Sequence, residues 1–317
     1  MAKRPFKRIL VTGATGFLGR HVVPALHEAT GAQVIGVNRL DYDLLKPGAA
    51  EAMLRDIRPD AVVHLAAKVG GIVANRKYPA DFFYENIVIN THTFHACYEF
   101  GVKKFLTFIG GCSYPAKAPS PIREEYMWDG YPQPESAPYS VAKKMMLVQS
   151  ESYRRQYGFN SVVLIPGNVY GEYDNFNLEY AHVIPALIRR FIEARDQGLP
   201  SVRCLGSGRP TRDFVYAGDV AELTGWFLLH YDSSEPVNIS TGTRTSIREL
   251  AETIRRLTGF SGEIEWDTSA PDGQMDKIFS VERLHSLGLK CSTTLEDGLR
   301  KTIAWFEQAR KEGTARL

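Results

Sequence analysis

The chain has 317 residues, 44% of them hydrophobic and 23% charged, which is enough apolar content for a sizeable core and too much for a disordered segment. Its 38 basic and 36 acidic residues are spread along the chain and leave a net charge of +2, so the composition argues against a nucleic-acid partner. No run approaches the roughly 18–20 apolar residues needed to span a bilayer, so no membrane partner is expected.

The opening "MAKRPFKRILVTG" has only a short apolar stretch that leads straight into a glycine pattern, and it reads as a first β-strand rather than a signal peptide. "RILVT" (8–12) is followed by a helical stretch to about Glu28, then "AQVIGV" (32–37), a helical stretch near 48–57 and "AVVHLAA" (61–67). A long helix over 79–100, the strand "KFLTFI" (104–109), a helix through 139–157 and the strand "SVVLIP" (161–166) come next. Strands separated by helices require parallel crossovers, so the reading is α/β: a Rossmann-type, doubly wound parallel sheet. After about residue 170 the alternation loosens. The helix "HVIPALIRRFIEA" (182–194) and short strands such as "EIEW" (263–266) point to a smaller C-terminal α/β lobe. The expected division is a nucleotide-binding domain over 1–170 and a substrate lobe over 171–317, with segments near 211–230 returning to the first domain. Cys97, Cys112, Cys204 and Cys291 lie far apart, without metal-ligand spacing or a disulfide framework. They read as free thiols in a cytoplasmic protein, and no metal site is expected.

"VTGATGFLG" sets Gly13, Gly16 and Gly19 in a G-x-x-G-x-x-G spacing between a strand and a helix. Glycines let the backbone turn sharply and approach a pyrophosphate, while the helix N-terminus supplies free N–H groups and the positive end of its dipole. The second strand ends in "GVNRLDYDLL", with no carboxylate directly after Val37 to grip a ribose hydroxyl. Arg39 there argues for the 2′-phosphate of NADP, with NAD as the alternative cofactor, and Asp43 could contact the adenine amine. "PYSVAKK" carries Tyr139 and Lys143 four apart, on one helix face. A lysine ammonium at that spacing is expected to lower the phenol pKa and let the tyrosine exchange a proton with a carbinol or carbonyl.

Together these motifs resemble the extended short-chain dehydrogenases/reductases, the NAD-dependent epimerase/dehydratase family. More narrowly, "HLAAKVGGIVAN" (64–75), "PYSVAKK" (138–144), "GNVYGEYDNF" (167–176), "HVIPALIRRF" (182–191), "GSGRPTRDF" (206–214) and "PDG" (271–273) are similar to the GDP-L-fucose synthase branch over nearly the whole chain. That resemblance implies epimerisation of a 4-keto GDP-sugar at C3 and C5, reduction at C4 by NADPH, and a homodimer paired through the helices near 79–100 and 137–157. It implies proton-transfer roles for Cys112 and His182. Along the cofactor it implies Thr15, Phe17, Leu18, Leu44, Leu65, Ala66, Ala67, Pro166, Asn168, Val169 and His182, beside the glycines, Tyr139 and Lys143. Around the substrate it implies Ser113, Asn168, Arg190 and Arg212.

Three departures stand against that pattern. Gly110 occupies the position of the family serine that hydrogen-bonds the reacting oxygen, Leu205 replaces a tryptophan before "GSG", and Ala270 and Asp276 replace two basic residues in "APDGQMDK". Because loss of one such donor typically costs about 10²–10³ in rate, Gly110 opens an alternative: an epimerase or isomerase with a recycled bound NAD(P). A catalytically silent nucleotide-binding protein would have no need to keep Tyr139, Lys143, Cys112 and His182 together.

Overall fold

The computed structural model describes residues 5–270 and 272–317, so "MAKR" of the opening segment and Pro271 of "PDG" lie outside the described residues. The first half runs β1 (Arg8–Thr12), α1 (Phe17–Thr30), β2 (Gln33–Val37), α2 (Ala49–Ile57), β3 (Ala61–His64), α3 (Ile72–Lys77), α4 (Pro79–Glu99), β4 (Lys104–Phe108), α5 (Ala137–Tyr157), β5 (Ser161–Pro166) and β6 (Asn168–Tyr170). The second half runs α6 (Val183–Asp196), β7 (Ser201–Leu205), β8 (Thr211–Arg212), β9 (Phe214–Tyr216), α7 (Ala217–His230), β10 (Val237–Ile239), β11 (Thr245–Ser246), α8 (Ile247–Thr258), β12 (Glu263–Asp267), β13 (Asp276–Lys277), α9 (Glu282–Ser286) and α10 (Leu295–Lys311).

Among the described residues, six strands form one sheet in the order β10-β5-β4-β3-β1-β2, every neighbouring pair parallel. Its inner strands are buried on both faces, which is why they read as continuous β-branched runs rather than alternating ones. One apolar layer holds Ile9, Val11 and Val63 against Val22 and Leu26 of α1 and Val220 and Phe227 of α7. The other holds Leu10, Val62 and Phe105 against Met53 of α2, Phe94 of α4 and Met146 of α5. A third core joins α6, α8 and α10 through Ile188, Phe191, Leu250, Ile254 and Phe306.

The helix after the glycine turn continues past Glu28 to Thr30 and stops at Gly31, whose φ of 58° gives the left-handed cap. His182 is not inside its helix but at the N-cap of α6. Helix α7 and strand β10 are elements that alternation did not reveal. They complete the first sheet at its β5 edge, with Val237 to Ile239 in register with Leu164 to Pro166. The chain then closes on itself near its end, where Phe176 N–H donates to the Arg316 carbonyl at 2.8 Å.

Beside that closure sits Asp174, a buried carboxyl with one oxygen accepting Asn175 N–H at 2.7 Å and the other without a partner among the described residues. Burial pushes its pKa up to about 7, against an opposing pull from Arg316. A raised carboxyl pKa gives stability that is full at low pH and lost as pH rises through the folded value. Asp174→Asn, which carries no charge to bury, is therefore expected to unfold several degrees above the wild type at pH 8. That difference should shrink towards zero near pH 4, as thermal melts followed by circular dichroism would show.

Candidate active site

The site begins at the C-terminal ends of β1, β3, β4 and β5, where a parallel sheet leaves its loops. At Gly13, φ is 70° and an added Cβ would lie 2.8 Å from Ala66 N; at Gly19 it would lie 2.3 Å from the Gly13 carbonyl oxygen. The turn is thus folded back on itself too closely for any side chain, and α1 starts with no side-chain cap over its first amides. Gly13, Thr15, Gly16, Phe17, Leu18 and Gly19 form a cradle that fits a pyrophosphate.

The floor beside the cradle is fixed by a buried polar chain. Ala66 N–H donates to Thr12 Oγ1 at 3.2 Å, Thr12 Oγ1 lies 2.8 Å from His64 Nδ1, and His64 Nε2 lies 3.2 Å from Asn90 Oδ1. Burial, with the Lys143 charge adding to it, pushes the His64 pKa down to about 3, so the imidazole is neutral. Thr12 then donates to Nδ1, and the Nε2 proton goes to Asn90. Sequence reading passed over this chain, which holds Leu65, Ala66 and Ala67 against the glycine turn. Beyond β2 Arg39 leaves 69% of its side chain exposed, 3.4 Å from Asp43, while Leu44 is buried in the core.

Tyr139 and Lys143 emerge from the first turns of α5. The Tyr139 ring meets Phe82 edge-on at 6.1 Å. Gly110 lies close to it too: a Cβ there would be 3.8 Å from the phenol oxygen and 3.0 Å from Cys112 Sγ. The expected lowering of the phenol pKa is not seen. Burial raises it, with a smaller push in the same direction from Cys112, because no charge on Lys143 acts on it strongly enough to offset desolvation. Lys143 itself is buried and pushed down to about 8, with Cys112 opposing that shift.

Cys112 is half-buried in the turn Gly111–Ser113. The expectation that Ser113 binds substrate does not fit its placement: it is fully buried and donates to the Ser140 carbonyl at 3.2 Å, into α5. His182 is open to solvent but crowded enough by protein that desolvation lowers its imidazole pKa. The segment before it is laid on the Gly70–Gly71 bend, where Gly71 N–H donates to the Tyr180 carbonyl at 3.0 Å, and a Cβ on Gly70 would lie 3.1 Å from the Phe82 ring.

Asn168 spends both its N–H and its side-chain amide on the Asp213 carbonyl, at 3.1 and 2.9 Å, and Val169 pairs with Val215 in the same short ladder. Pro166 presents its carbonyl towards Gly111. Arg212 is anchored to the Thr211 and Gln274 carbonyls at 2.8 and 2.6 Å. In register beside it on β13 is Lys277, which the sequence reading missed although it closes the "APDGQMDK" stretch. The Lys277 pKa is lowered by burial and by the Arg212 charge, and raised by Cys112. Arg190 is half-buried on α6, near enough to Cys204 to act on it electrostatically. Asp276 is turned away to Arg244 at 2.6 Å, and Leu205 is 62% exposed. The result is a cluster that sets the Tyr139 phenol and the Cys112 thiol among the charges of Lys143, Lys277 and Arg212. It suits a polyanionic ligand whose reacting carbon exchanges protons.

Residues 9–240 match the model of the NAD dependent epimerase/dehydratase family. The chain belongs to that family. It is 40% identical over 300 residues to a GDP-L-fucose synthase of Sinorhizobium fredii, with 95% of each chain covered. A GDP-L-fucose synthetase from Naegleria fowleri bound to NADP superposes with a TM-score of 0.88 at 31% identity, covering 98% of this chain and 96% of that one. A GDP-6-OMe-4-keto-L-xylo-heptose reductase from C. jejuni gives a TM-score of 0.90 at 27% identity, covering 96% and 99%.

The lowered Lys143 pKa has a measurable consequence for this family member. With burial pushing its pKa down to about 8, Lys143 is expected to lose its charge as pH rises through that value, and an anionic cofactor bound beside it would have to draw the proton back. NADPH affinity, read by nicotinamide fluorescence, is expected to fall as pH rises through that value, and Lys143→Arg should flatten the decline.

Proposed function

We propose that the protein is a GDP-sugar epimerase/reductase: it epimerises a GDP-linked 4-keto sugar at C3 and C5 and reduces the C4 ketone, using NADPH. The observation that carries this is the junction at Gly110, where the Tyr139 phenol and the Cys112 thiol converge on one point beside buried Lys143. The relatives named above supply the GDP-sugar and the NADP.

Protons next to a ketone are acidic because the resulting carbanion spreads onto oxygen, so inversion needs a base on one face and an acid on the other. Cys112 and His182 take these roles. One removes the proton from C3 or C5, and the other returns a proton from the opposite side. The enediolate oxygen gathers negative charge in a cleft where Lys143 and Lys277 carry the compensating charge. Bound NADPH supplies the hydride for the second half. Tyr139, kept protonated by its raised pKa, gives its proton to O4 as the alkoxide forms. Arg190 and Arg212 hold the diphosphate. Arg39 meets the 2′-phosphate and Asp43 the adenine amine, and Pro166, Asn168 and Val169 line the nicotinamide and sugar.

In this reading residues 1–170 hold the cofactor and 171–317 the sugar, with α7 and β10 returning to the first sheet. The protein works as a homodimer paired through α4 and α5. The cytoplasm suits its free thiols, and among the described residues no helix is long and apolar enough to cross a membrane.

The test is to incubate the protein with NADPH and GDP-4-keto-6-deoxy-mannose in deuterated buffer, following cofactor absorbance and the sugar by NMR. Deuterium at C3 and C5 together with NADPH loss supports the proposal. Exchange without any net NADPH loss favours the recycled-cofactor alternative that Gly110 raises, and neither signal would overturn the assignment.

A further inference from the structure

The ring of Tyr139 meets Phe82 edge-on and also lies close to Gly110, and a side chain at 110 would start within reach of both the phenol oxygen and the Cys112 sulfur. A hydroxyl placed there would stand beside the proton-transfer groups, yet the turn supplies none. Ser113 is committed to α5, and Cys112 offers only a weakly donating thiol. Gly111 is barred from carrying a side chain, since a Cβ would lie 2.4 Å from the Phe279 ring. Gly110 is not barred. Its φ of −78° and ψ of 149° are ordinary extended backbone. The one tight contact of an added Cβ is Cys112 Sγ at 3.0 Å, which the thiol would have to relieve by a few tenths of an ångström, so glycine leaves room beside the phenol rather than supplying a special conformation.

A ketone oxygen under reduction gathers charge, and losing one hydrogen-bond donor to it typically costs about 10²–10³ in rate. Tyr139 is one donor. A water beside Gly110 would have the Cys112 thiol, the Tyr139 phenol and the ketone oxygen as partners, within the roughly two to four it needs, so water is the competing occupant that the test below has to separate. A hydroxyl carried by the substrate needs no such tether. On a 4-keto pyranose, a hydroxyl on the exocyclic carbon reaches back to O4 through a six-membered hydrogen-bonded ring.

We infer that Gly110 is a specificity-determining position that adapts the site to GDP-linked 4-keto sugars retaining an exocyclic hydroxyl. That hydroxyl lies in the space beside Gly110 and donates to O4. The inference rests on the reductase reading above and narrows its substrate.

The test compares kcat/KM for NADPH-dependent reduction of GDP-4-keto-6-deoxy-mannose and of its 6-hydroxylated analogue, using wild type, Gly110→Ser and Gly110→Ala. Wild type is expected to prefer the hydroxylated ketone by about 10-fold or more, and Gly110→Ser to raise the rate on the 6-deoxy ketone by about 10²-fold while lowering it on the other. Equal rates on both ketones in wild type, with Gly110→Ala lowering both and Gly110→Ser restoring both, would assign the hydroxyl to water and overturn the inference. So would a 6-deoxy rate that Gly110→Ser leaves unchanged. Thermal melts and NADPH binding establish that each variant is folded, and if Gly110→Ser is not, the wild-type preference between the ketones decides. Reduction of the 6-deoxy ketone at par removes this inference and leaves the function standing. No reduction of either ketone removes both.

Discussion

Asp213 is the residue on which the geometry of the cleft depends. It is fully buried at the start of β9, and its carboxylate accepts from Thr241 N–H and Oγ1 at 3.2 and 2.7 Å, Gly242 N–H at 3.0 Å and Phe279 N–H at 3.3 Å. Its own carbonyl accepts from Asn168 twice. Burial raises its pKa while these donors pull it back, the usual balance for a carboxylate that main-chain amides keep inside a protein. Three separate stretches of chain are therefore tied to one point. Phe279 is held over Gly111 beside the Cys112 turn, Asn168 is held at the sheet's end, and Thr241 and Gly242 are held beside them, while Arg212, next in the chain to Asp213, pairs with Lys277.

From that tie the chemistry follows by proximity. The turn after β4 carries a thiol next to the Tyr139 phenol, and Gly111 lets Phe279 close in on that turn where a Cβ would lie 2.4 Å from the ring. The cations around it come from α5, β8 and β13, elements far apart in sequence. Lys143 and Lys277 both pay a desolvation cost that an anionic ligand would offset.

Much of this was legible in the sequence where the signal is local. The glycine turn, the Tyr139–Lys143 spacing and the parallel alternation each depend on a few neighbouring residues and a fixed period. Helix α7 was not legible, because "AGDVAELTGWFLLH" is buried nearly all round and shows no polar face to mark a period. Nor was β10, three residues long. The inward turn of Ser113, the neutral His64 chain and the pairing of Lys277 with Arg212 depend on contacts between distant segments. The upward shift of the Tyr139 pKa is a burial effect that helix spacing alone does not foretell.

The most direct measurement is solvent-deuterium exchange at C3 and C5 of the keto sugar, compared by NMR between wild type and Asp213→Asn at a temperature where both are folded. An amide at this position sets an N–H against the donors it must accept from, so the ties to Gly242, Thr241 and Phe279 loosen while the distant glycine turn stays intact. The account predicts NADPH binding close to wild type with exchange slowed by about 10-fold or more. Exchange at the wild-type rate in Asp213→Asn would contradict it, because the cleft would then be assembled by something other than this carboxylate.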